Sequence, residues 1–235
     1  MYVCADPGVV VALSLSDGSV EWTYSDFAGT PLGLAVDNGR VYVSMERLTP
    51  DRPVLVALTQ EGDHDWEFTT SKRLYVPITH PTAANGFVYF AGFRGTQPPV
   101  FAVDGGSGDR EWRQVIKIGG QEGVYGVPAV TDEACYVRYT SRIFVFDAYD
   151  GPVEWGTTNR IGSSITASAP TATDDWVLFR DSPDDTTRTA LFGYALDRPF
   201  EARTPEPDWT TDEEVKLYDH MSAPTVQNGC AYVPL

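Results

Sequence analysis

Residues 10–22 read "VVALSLSDGSVEW": a β-branched apolar run, a turn centred on Asp17 and Gly18, and a short second run closing on Trp22. Glycine supplies the positive φ that such a turn needs and Asp bonds its own backbone, so the stretch reads as a β-hairpin. Nearly the same phrase returns as "LVALTQEGDHDWEF" (55–68), "VFAVDGGSGDREW" (100–112) and "IFVFDAYDGPVEW" (143–155). The closing tryptophans, Trp22, Trp66, Trp112 and Trp155, stand 44, 46 and 43 residues apart. A fixed period of that size marks a propeller or a solenoid, and it governs how every other residue is read.

A second marker falls between the tryptophans: a proline, a short strand, a turn and an aromatic strand. Its copies are "TPLGLAVDNGRVYV" (30–43), "HPTAANGFVYF" (80–90), "VPAVTDEACYV" (127–137), "APTATDDWVLF" (169–179) and "APTVQNGCAYV" (223–233). Each period therefore holds four short alternating or β-branched runs separated by turn residues, with no sustained helical spacing. Four strands in about 45 residues is what one blade of a β-propeller requires. In the third repeat they are expected at 82–84, 87–91, 100–104 and 111–114. Asn38-Gly39 and Asn85-Gly86 predict tight hairpins, since both residue types tolerate positive φ.

The expected fold is thus all-β, a propeller of four-stranded antiparallel blades in a single domain. Repeats end near Trp22, Trp66, Trp112, Trp155 and Trp209, and a partial repeat covers 223–235. The fifth copy, "LFGYALDRPFEARTPEPDW" (191–209), keeps Ala195 and Asp197 of the phrase but lengthens the last turn, and the period lapses to 54. A loop is expected to protrude there, which makes 197–219 the most distinctive loop. Because blades diverge outward, a bulky aromatic on each last strand fills the space between sheets, burying on the order of 200 Å². Ala12, Ala57 and Ala102 supply close packing, and Gly18, Gly62, Gly108 and Gly151 supply the turn.

The run "AVDGGSGDREW" (102–112) follows the pattern Ala, any, Asp, two of any, Ser or Thr, Gly, three of any, Trp. It resembles the tryptophan-docking repeat of pyrroloquinoline-quinone-type (PQQ-like, BamB-like) β-propellers. That superfamily holds quinoprotein dehydrogenases and also cofactor-free scaffolds such as the outer-membrane assembly lipoprotein BamB. The other copies depart from the pattern: Ser14 stands for the Asp, the second copy is one residue shorter, and Val145 stands for the alanine. The lysine often found after the glycine is replaced by Ser19, Asp63, Asp109 and Pro152. The resemblance implies a binding scaffold contacting a protein or ligand through its loop faces. Its alternative is a truncated or degenerate PQQ-dependent oxidoreductase, which would need PQQ with Ca²⁺. That enzyme class holds its quinone beneath an adjacent cysteine pair and over a tryptophan. The three cysteines here are never adjacent, so no catalytic or cofactor-binding residue is carried over and no cofactor is expected. Relatives of this type are commonly exported, which implies an extracytoplasmic or cell-envelope location. Seven or eight blades are usual in the family. The chain reads either as a five-bladed ring or as part of a larger propeller; "MYVC" and "CAYV" both claim the place of a second strand, which favours the larger one.

Charge narrows the partners. There are 33 acidic against 17 basic residues, a formal net charge of −16, and only three of the bases are lysines, Lys72, Lys117 and Lys216. An acidic, lysine-poor surface with arginine as the usual cation resembles proteins of salt-loving organisms, haloarchaea among them, in which high salt screens self-repulsion. The competing reading is an acidic face for a basic partner or metal. No basic stripe exists, so nucleic acid is not an expected partner. No run approaches the roughly 20 apolar residues of a membrane-spanning helix, and Met1 leads directly into a strand-like "YVCAD" without a basic, apolar leader.

Cys4, Cys135 and Cys230 each sit in a strand-like run at seemingly matching positions, and are expected to be small buried core residues rather than disulfides or metal ligands. His64 falls in a turn beside Trp66. His80, Tyr125, Thr166 and His220 precede or open the innermost strands, and are the candidates for lining one mouth of a propeller channel and binding a ligand. The acidic run "DSPDDTT" (181–187) offers oxygens to Ca²⁺ but lacks the spacing of a calcium loop. Ser163 and Ser164 have no His and Asp partners at a recognisable spacing, so no nucleophile is assigned.

Overall fold

Each copy of the repeated phrase folds into the outer hairpin of an antiparallel sheet. The structure, a computed structural model, describes residues 1–5, 8–46, 54–70, 79–92, 98–115, 126–139, 142–151, 153–156, 168–181, 190–196, 207–211 and 223–232. All regular structure among these residues is β, as expected. The chain divides into two compact units, Met1–Gln121 and Glu122–Leu235.

The first unit holds three sheets. Strands β1 (Tyr2–Ala5), β2 (Val9–Leu13) and β3 (Val20–Tyr24) form one. Strands β4 (Thr30–Asp37), β5 (Arg40–Glu46), β6 (Leu55–Thr59) and β7 (His64–Phe68) form the next. Strands β8 (Thr82–Ala84), β9 (Phe87–Ala91), β10 (Pro99–Asp104) and β11 (Arg110–Val115) form the third, within one residue of the spans expected from sequence. The second unit holds β12 (Ala129–Val130), β13 (Ala134–Tyr139), β14 (Arg142–Asp147) and β15 (Val153–Gly156) in one sheet. Strands β16 (Thr171–Ala172), β17 (Trp176–Asp181), β18 (Ala190–Ala195) and β19 (Trp209–Thr210) form another, and β20 (Thr225–Gln227) pairs with β21 (Cys230–Tyr232). Every sheet is a meander in which neighbours in sequence are neighbours in space, the order of a propeller blade. The predicted Asn-Gly turns have positive φ at both positions: 47° and 73° at Asn38-Gly39, 56° and 80° at Asn85-Gly86.

Register explains the outer hairpin. Trp22 lies opposite Ala12, Trp66 opposite Ala57, Trp112 opposite Ala102 and Trp155 opposite Val145. In each pair the register then slips, so Leu13 meets Val20, Leu58 meets His64, Val103 meets Arg110 and Phe146 meets Val153. The extra residue of each bulge is acidic (Glu21, Asp65, Glu111 and Glu154). A bulge twists the outermost strand, and a carboxylate on that edge discourages pairing with another sheet.

The turn between these strands is built by the residue two positions after the alanine or valine. Asp104 Oδ1 accepts the N–H groups of Gly106 (2.9 Å) and Ser107 (2.7 Å), and Asp147 Oδ1 accepts those of Tyr149 (2.8 Å) and Asp150 (2.7 Å). Where the pattern lacks the aspartate, a hydroxyl serves: Thr59 Oγ1 accepts from Glu61 and Asp63, both at 3.2 Å, and Ser14 Oγ accepts from Ser16 at 3.3 Å. The departures noted in the sequence keep the acceptor and so keep the turn.

The glycines do more than turn the chain. Gly62 and Gly108 have φ of 90° and 77°, and each seats the tryptophan of the preceding repeat. A Cβ on Gly62 would stand 2.6 Å from Cδ2 of Trp22, and one on Gly108 2.7 Å from Cδ2 of Trp66. The Trp22 indole N–H donates to the Gln60 carbonyl (2.9 Å) and that of Trp66 to the Gly105 carbonyl (3.1 Å). The same Gly105 oxygen accepts the Tyr42 hydroxyl at 3.2 Å. Tyr42 stands against Trp66 (centroids 5.8 Å apart), as Tyr2 does against Trp22 (5.6 Å). Both seated indoles are thus backed by an aromatic residue of the strand that pairs with the alanine-bearing strand of their own sheet.

Strand alternation builds the core at the same seams. Val41, Val43 and Met45 of β5 pack toward the first sheet with Val10, Val56 and Leu58, while Tyr42 joins Val54, Leu55, Val88, Phe90 and Phe101 toward the third. In the second unit Tyr136, Val145, Val177, Phe179 and Phe192 form the equivalent seam, with Phe179 stacked on its cross-strand partner Phe192.

Two alignments made from sequence are corrected by register. In the fifth repeat it is Gly193, not Ala195, that faces Trp209, and a Cβ there would stand 2.3 Å from the indole. The buried run of β18 from Ala190 to Tyr194 sets the pairing, overriding the Ala-x-Asp signature; Asp197 lies outside the described residues. In the second repeat Pro31 is not the counterpart of Pro81. Pairing with β5 makes Leu34 its counterpart, because β4 carries a bulge between Pro31 and Gly33 and runs three residues further to its turn.

Two predictions follow from the outer turn. In denaturant unfolding, Gly108→Ala lowers stability by about 2–4 kcal/mol, combining positive-φ strain with displacement of Trp66, whereas Gly18→Ala costs only about 1 kcal/mol; nothing lies within 4 Å of a Cβ on Gly18. The backbone N–H of Ser107, above all, holds the Asp104 carboxyl below its ordinary pKa. A depressed folded-state pKa stabilises above the unfolded-state value and is lost as pH falls through the folded one. The stability advantage over Asp104→Asn is therefore present at neutral pH and disappears below about pH 4 in pH-dependent unfolding.

Candidate functional site

Of the four residues expected at the mouth of the innermost strands, the structure describes His80; Tyr125, Thr166 and His220 lie outside the described residues. His80 is exposed and follows Thr79, which is 6% exposed. Thr79 N–H donates to the Ala91 carbonyl (2.9 Å) while Thr79 Oγ1 accepts the Ala91 N–H (3.1 Å). This pair of bonds fixes the chain leading into β8 and holds residue 80 at the sheet end. The imidazole lies on Gly33 of the neighbouring sheet, where a Cβ would stand 2.4 Å from His80 Cγ. Ser44 Oγ donates to the Gly33 carbonyl at 3.3 Å, so the bulge of β4 makes a floor for the ring.

The second unit repeats the construction with different chemistry. Ser168 N–H donates to the Arg180 carbonyl (3.1 Å) and Ser168 Oγ accepts the Arg180 N–H (2.9 Å). Ala169, in the place of His80, packs against Gly126, whose φ is 77°. The innermost strands are joined by Thr171 Oγ1, which donates to the Pro224 carbonyl at 2.6 Å. What sets His80 apart is thus an exposed, backed imidazole at a position that is aliphatic in the equivalent repeat. Such a ring offers its two nitrogens for hydrogen bonding.

Two residues that sequence reasoning passed over are buried arginines. Arg138 of β13 and Arg180 of β17 are 1% and 0% exposed. They hold the same register, two residues beyond Tyr136 and Leu178, whose partners are Val145 and Gly193. Arg138 Nη1 donates to the Arg180 carbonyl (3.1 Å), and its guanidinium carbon lies 4.6 Å from the Phe179 ring centroid. Burial lowers the Arg180 pKa from its usual value. The signal was an arginine inside an otherwise apolar run, alone in "CYVRY" and beside Asp181 in "VLFRD", an uncommon placement for a charged residue. The Tyr139 hydroxyl is buried without a hydrogen-bond partner among the described residues, and burial, more than its neighbour Cys135, raises its pKa well above the usual value.

The cysteines do not share one environment. Cys135 is fully buried, Cys4 half-buried and Cys230 exposed, so the expected core role fails for Cys230, where β21 is open to solvent on both faces. Their positions do not match either: Cys4 pairs with Val10, Cys135 with Phe146 and Cys230 with Gln227. His64, expected in a turn, opens β7 opposite Leu58. The acidic run at 182–187 and Ser163-Ser164 lie outside the described residues. Among those described, no group of three His, Cys, Asp or Glu side chains is placed to hold a metal ion, and no helix is long and apolar enough to cross a membrane. Burial pushes the Cys135 thiol far up and that of Cys4 less so. A thiol reagent therefore modifies Cys230 first and Cys4 more slowly, and reaches Cys135 about a thousandfold more slowly or only on unfolding, as mapped by peptide mass.

The geometry of repeating four-stranded sheets agrees with known proteins. Residues 77–233, about two thirds of the chain, match the family described as outer membrane protein assembly factor BamB. Among solved structures, BamB from Moraxella catarrhalis is similar with a TM-score of 0.61 at 14% identity, covering 97% of this chain and 64% of that one. A quinohemoprotein alcohol dehydrogenase, ADHIIG from Pseudomonas putida HK5, gives 0.60 at 20% identity, covering 90% and 40%. The quinohemoprotein alcohol dehydrogenase from Comamonas testosteroni gives 0.61 at 17% identity, covering 90% and 41%. The chain spans less than two thirds of the length of each of the three, and no curated protein sequence matches it. Periodic outer hairpins, four-stranded meanders and the match over residues 77–233 lead to one statement: the chain belongs to the BamB family of PQQ-like repeat β-propellers.

Proposed function

We propose that this chain is a non-catalytic propeller scaffold that binds a protein partner through the sheet ends carrying His80. The match to an assembly-factor family over residues 77–233 carries the reading. Its support among the described residues is the contrast between the outer turns of the first unit and the lead into β8. The outer turns at 14–19, 59–63 and 104–109 are closed by their own side chains, whereas the opposite end presents an exposed imidazole on a glycine floor. The second reading is a truncated or degenerate PQQ-dependent oxidoreductase, favoured by the likeness in fold to two quinohemoprotein dehydrogenases. We also propose that the acidic composition is an adaptation to high salt. Asp17, Glu61, Asp63 and Asp109 are exposed on the outer turns, where salt screens their mutual repulsion.

One titration separates the two functional readings. Purified chain is mixed with PQQ and Ca²⁺ while a primary alcohol and an artificial electron acceptor report turnover. The scaffold reading expects neither PQQ uptake nor dye reduction; stoichiometric uptake with turnover overturns it. The face is tested by a photo-crosslinking residue at position 80 and another at position 17, at opposite ends of the first unit's sheets. Adducts with a protein partner are expected at position 80, and adducts confined to position 17 would contradict the assignment. For salt, the thermal midpoint is expected to rise between about 0.1 and 3 M KCl, and an unchanged or falling midpoint refutes the adaptation.

A further inference from the structure

Within the first unit, the seams between sheets pair an indole with a glycine and place a small residue further along. Trp22 lies on Gly62 and Trp66 on Gly108. Each faces an alanine, Ala12 or Ala57, which also pairs with Tyr2 or Tyr42. Two residues beyond those tyrosines stand Cys4 and Ser44. Within the second unit, the sequence lacks what an indole seat needs. The turn between β18 and β19 contains no glycine, and none occurs from 194 to 228. Ala195, two residues past the Gly193 that faces Trp209, holds the place of Asp104 but has no side-chain acceptor to gather the turn; its N–H donates to Asp208 Oδ2 at 2.8 Å. Val145 replaces the alanine opposite Trp155. At the place of Cys4 and Ser44, two residues beyond Tyr136, is Arg138.

Arg138 is 1% exposed and reaches from the fourth repeat to the fifth. Its Nη1 donates to the Arg180 carbonyl at 3.1 Å, and its guanidinium carbon lies 4.6 Å from the Phe179 ring centroid. Both receiving groups are fixed by their own repeat. The Arg180 peptide is held by its two bonds to Ser168, and the Phe179 ring stacks on Phe192 and Tyr194, with centroids 5.7 and 5.6 Å away. A guanidinium serves both because it is planar and weakly hydrated for a cation, donating from its edge while its face covers a ring. It thus does here what an indole does at the seams of the first unit: it covers a surface of the next sheet and donates to a backbone carbonyl there.

We propose that Arg138 replaces the seated indole as the lock between the fourth and fifth repeats. The lock moves from the outer turns to the end of the sheet where the lead into the innermost strand runs, since Ser168 anchors that lead on the same Arg180 peptide. The sequence between β18 and β19 is thereby released from supplying a seat, which lets the fifth repeat depart from the period of the others. Arg138 is then exchangeable with the indole and glycine pair: a repeat junction needs one or the other.

Amide hydrogen exchange of the full chain, followed by peptide mass, distinguishes the two kinds of junction. Arg138→Ser installs the residue of the second repeat and is expected to accelerate exchange in β17 and β18 by about tenfold or more. Trp155→Leu should accelerate the same strands far less, by about twofold at most, whereas Trp66→Leu accelerates β9 and β10 by about tenfold or more. Arg138→Lys keeps the charge and most of the length but neither the planar face nor the fork of donors. It should accelerate β17 and β18 several-fold, and it carries the test if Arg138→Ser fails to fold. Exchange in β17 and β18 that Arg138→Ser or Arg138→Lys leaves at the native rate would overturn the proposal. So would Trp155→Leu acting as strongly as the Arg138 variants, or failing to fold, because the indole would then hold this junction too.

Discussion

An indole laid over a glycine joins the first repeat to the second and the second to the third, and most local features of these repeats exist to make that contact possible. Alanine opposite the tryptophan leaves room for the ring, the bulge before it sets the angle of the last strand, and an aromatic residue on the strand beyond the alanine backs it. On the receiving side, Asp104 or Thr59 gathers backbone N–H groups so that the neighbouring carbonyl faces outward and meets the indole N–H. The ring removes on the order of 200 Å² from water, and the bond adds about 1 kcal/mol net. Any side chain on the glycine would take up that space. Repeats with little sequence in common can therefore stack in the same way.

Among the described residues, the two ends of a sheet differ. At one end the turns satisfy themselves and seat the neighbouring repeat. At the other, Thr79 and Ser168 anchor the lead to the innermost strand and leave the next residue to vary: His80 in one repeat and Ala169 in the other. An exposed side chain at that position is available to specify binding, which is why the scaffold reading looks there for its partner. Arg138 serves the seams, since a guanidinium that bonds the neighbouring strand's carbonyl and stacks on Phe179 is consumed by packing.

Much of the fold was legible because its cause is periodic. Tryptophan spacing fixed the repeat, Asn-Gly pairs fixed the hairpins, and the third repeat's strands fell within a residue of their observed ends. The double role of Gly62 and Gly108 was not legible, because a glycine that must turn and a glycine that must lie beneath an indole look the same in sequence. The same limit misplaced Ala195, which fits the signature although the buried run of β18 sets Gly193 against Trp209. It also hid the exposure of Cys230, since a short apolar run shows its strand but not whether another layer covers it. The buried arginines broke the apolar pattern visibly, but the carbonyl that Arg138 bonds lies in another repeat, and single-strand periodicity does not carry that information. Of the candidate mouth, His80 could be named, but the glycine floor beneath it depended on a bulge in β4 that no turn residue announced.

A double-mutant cycle between Trp66 and Gly108 tests the central contact most directly. Gly108→Ala is measured by denaturant unfolding in the native background and again with Trp66→Leu. If the indole occupies the space above the glycine, the alanine costs less once the ring is gone, and the two changes couple by about 1–3 kcal/mol. Additive costs would mean that Gly108 serves only its own turn, and that the repeats are held together by something other than the seated indole.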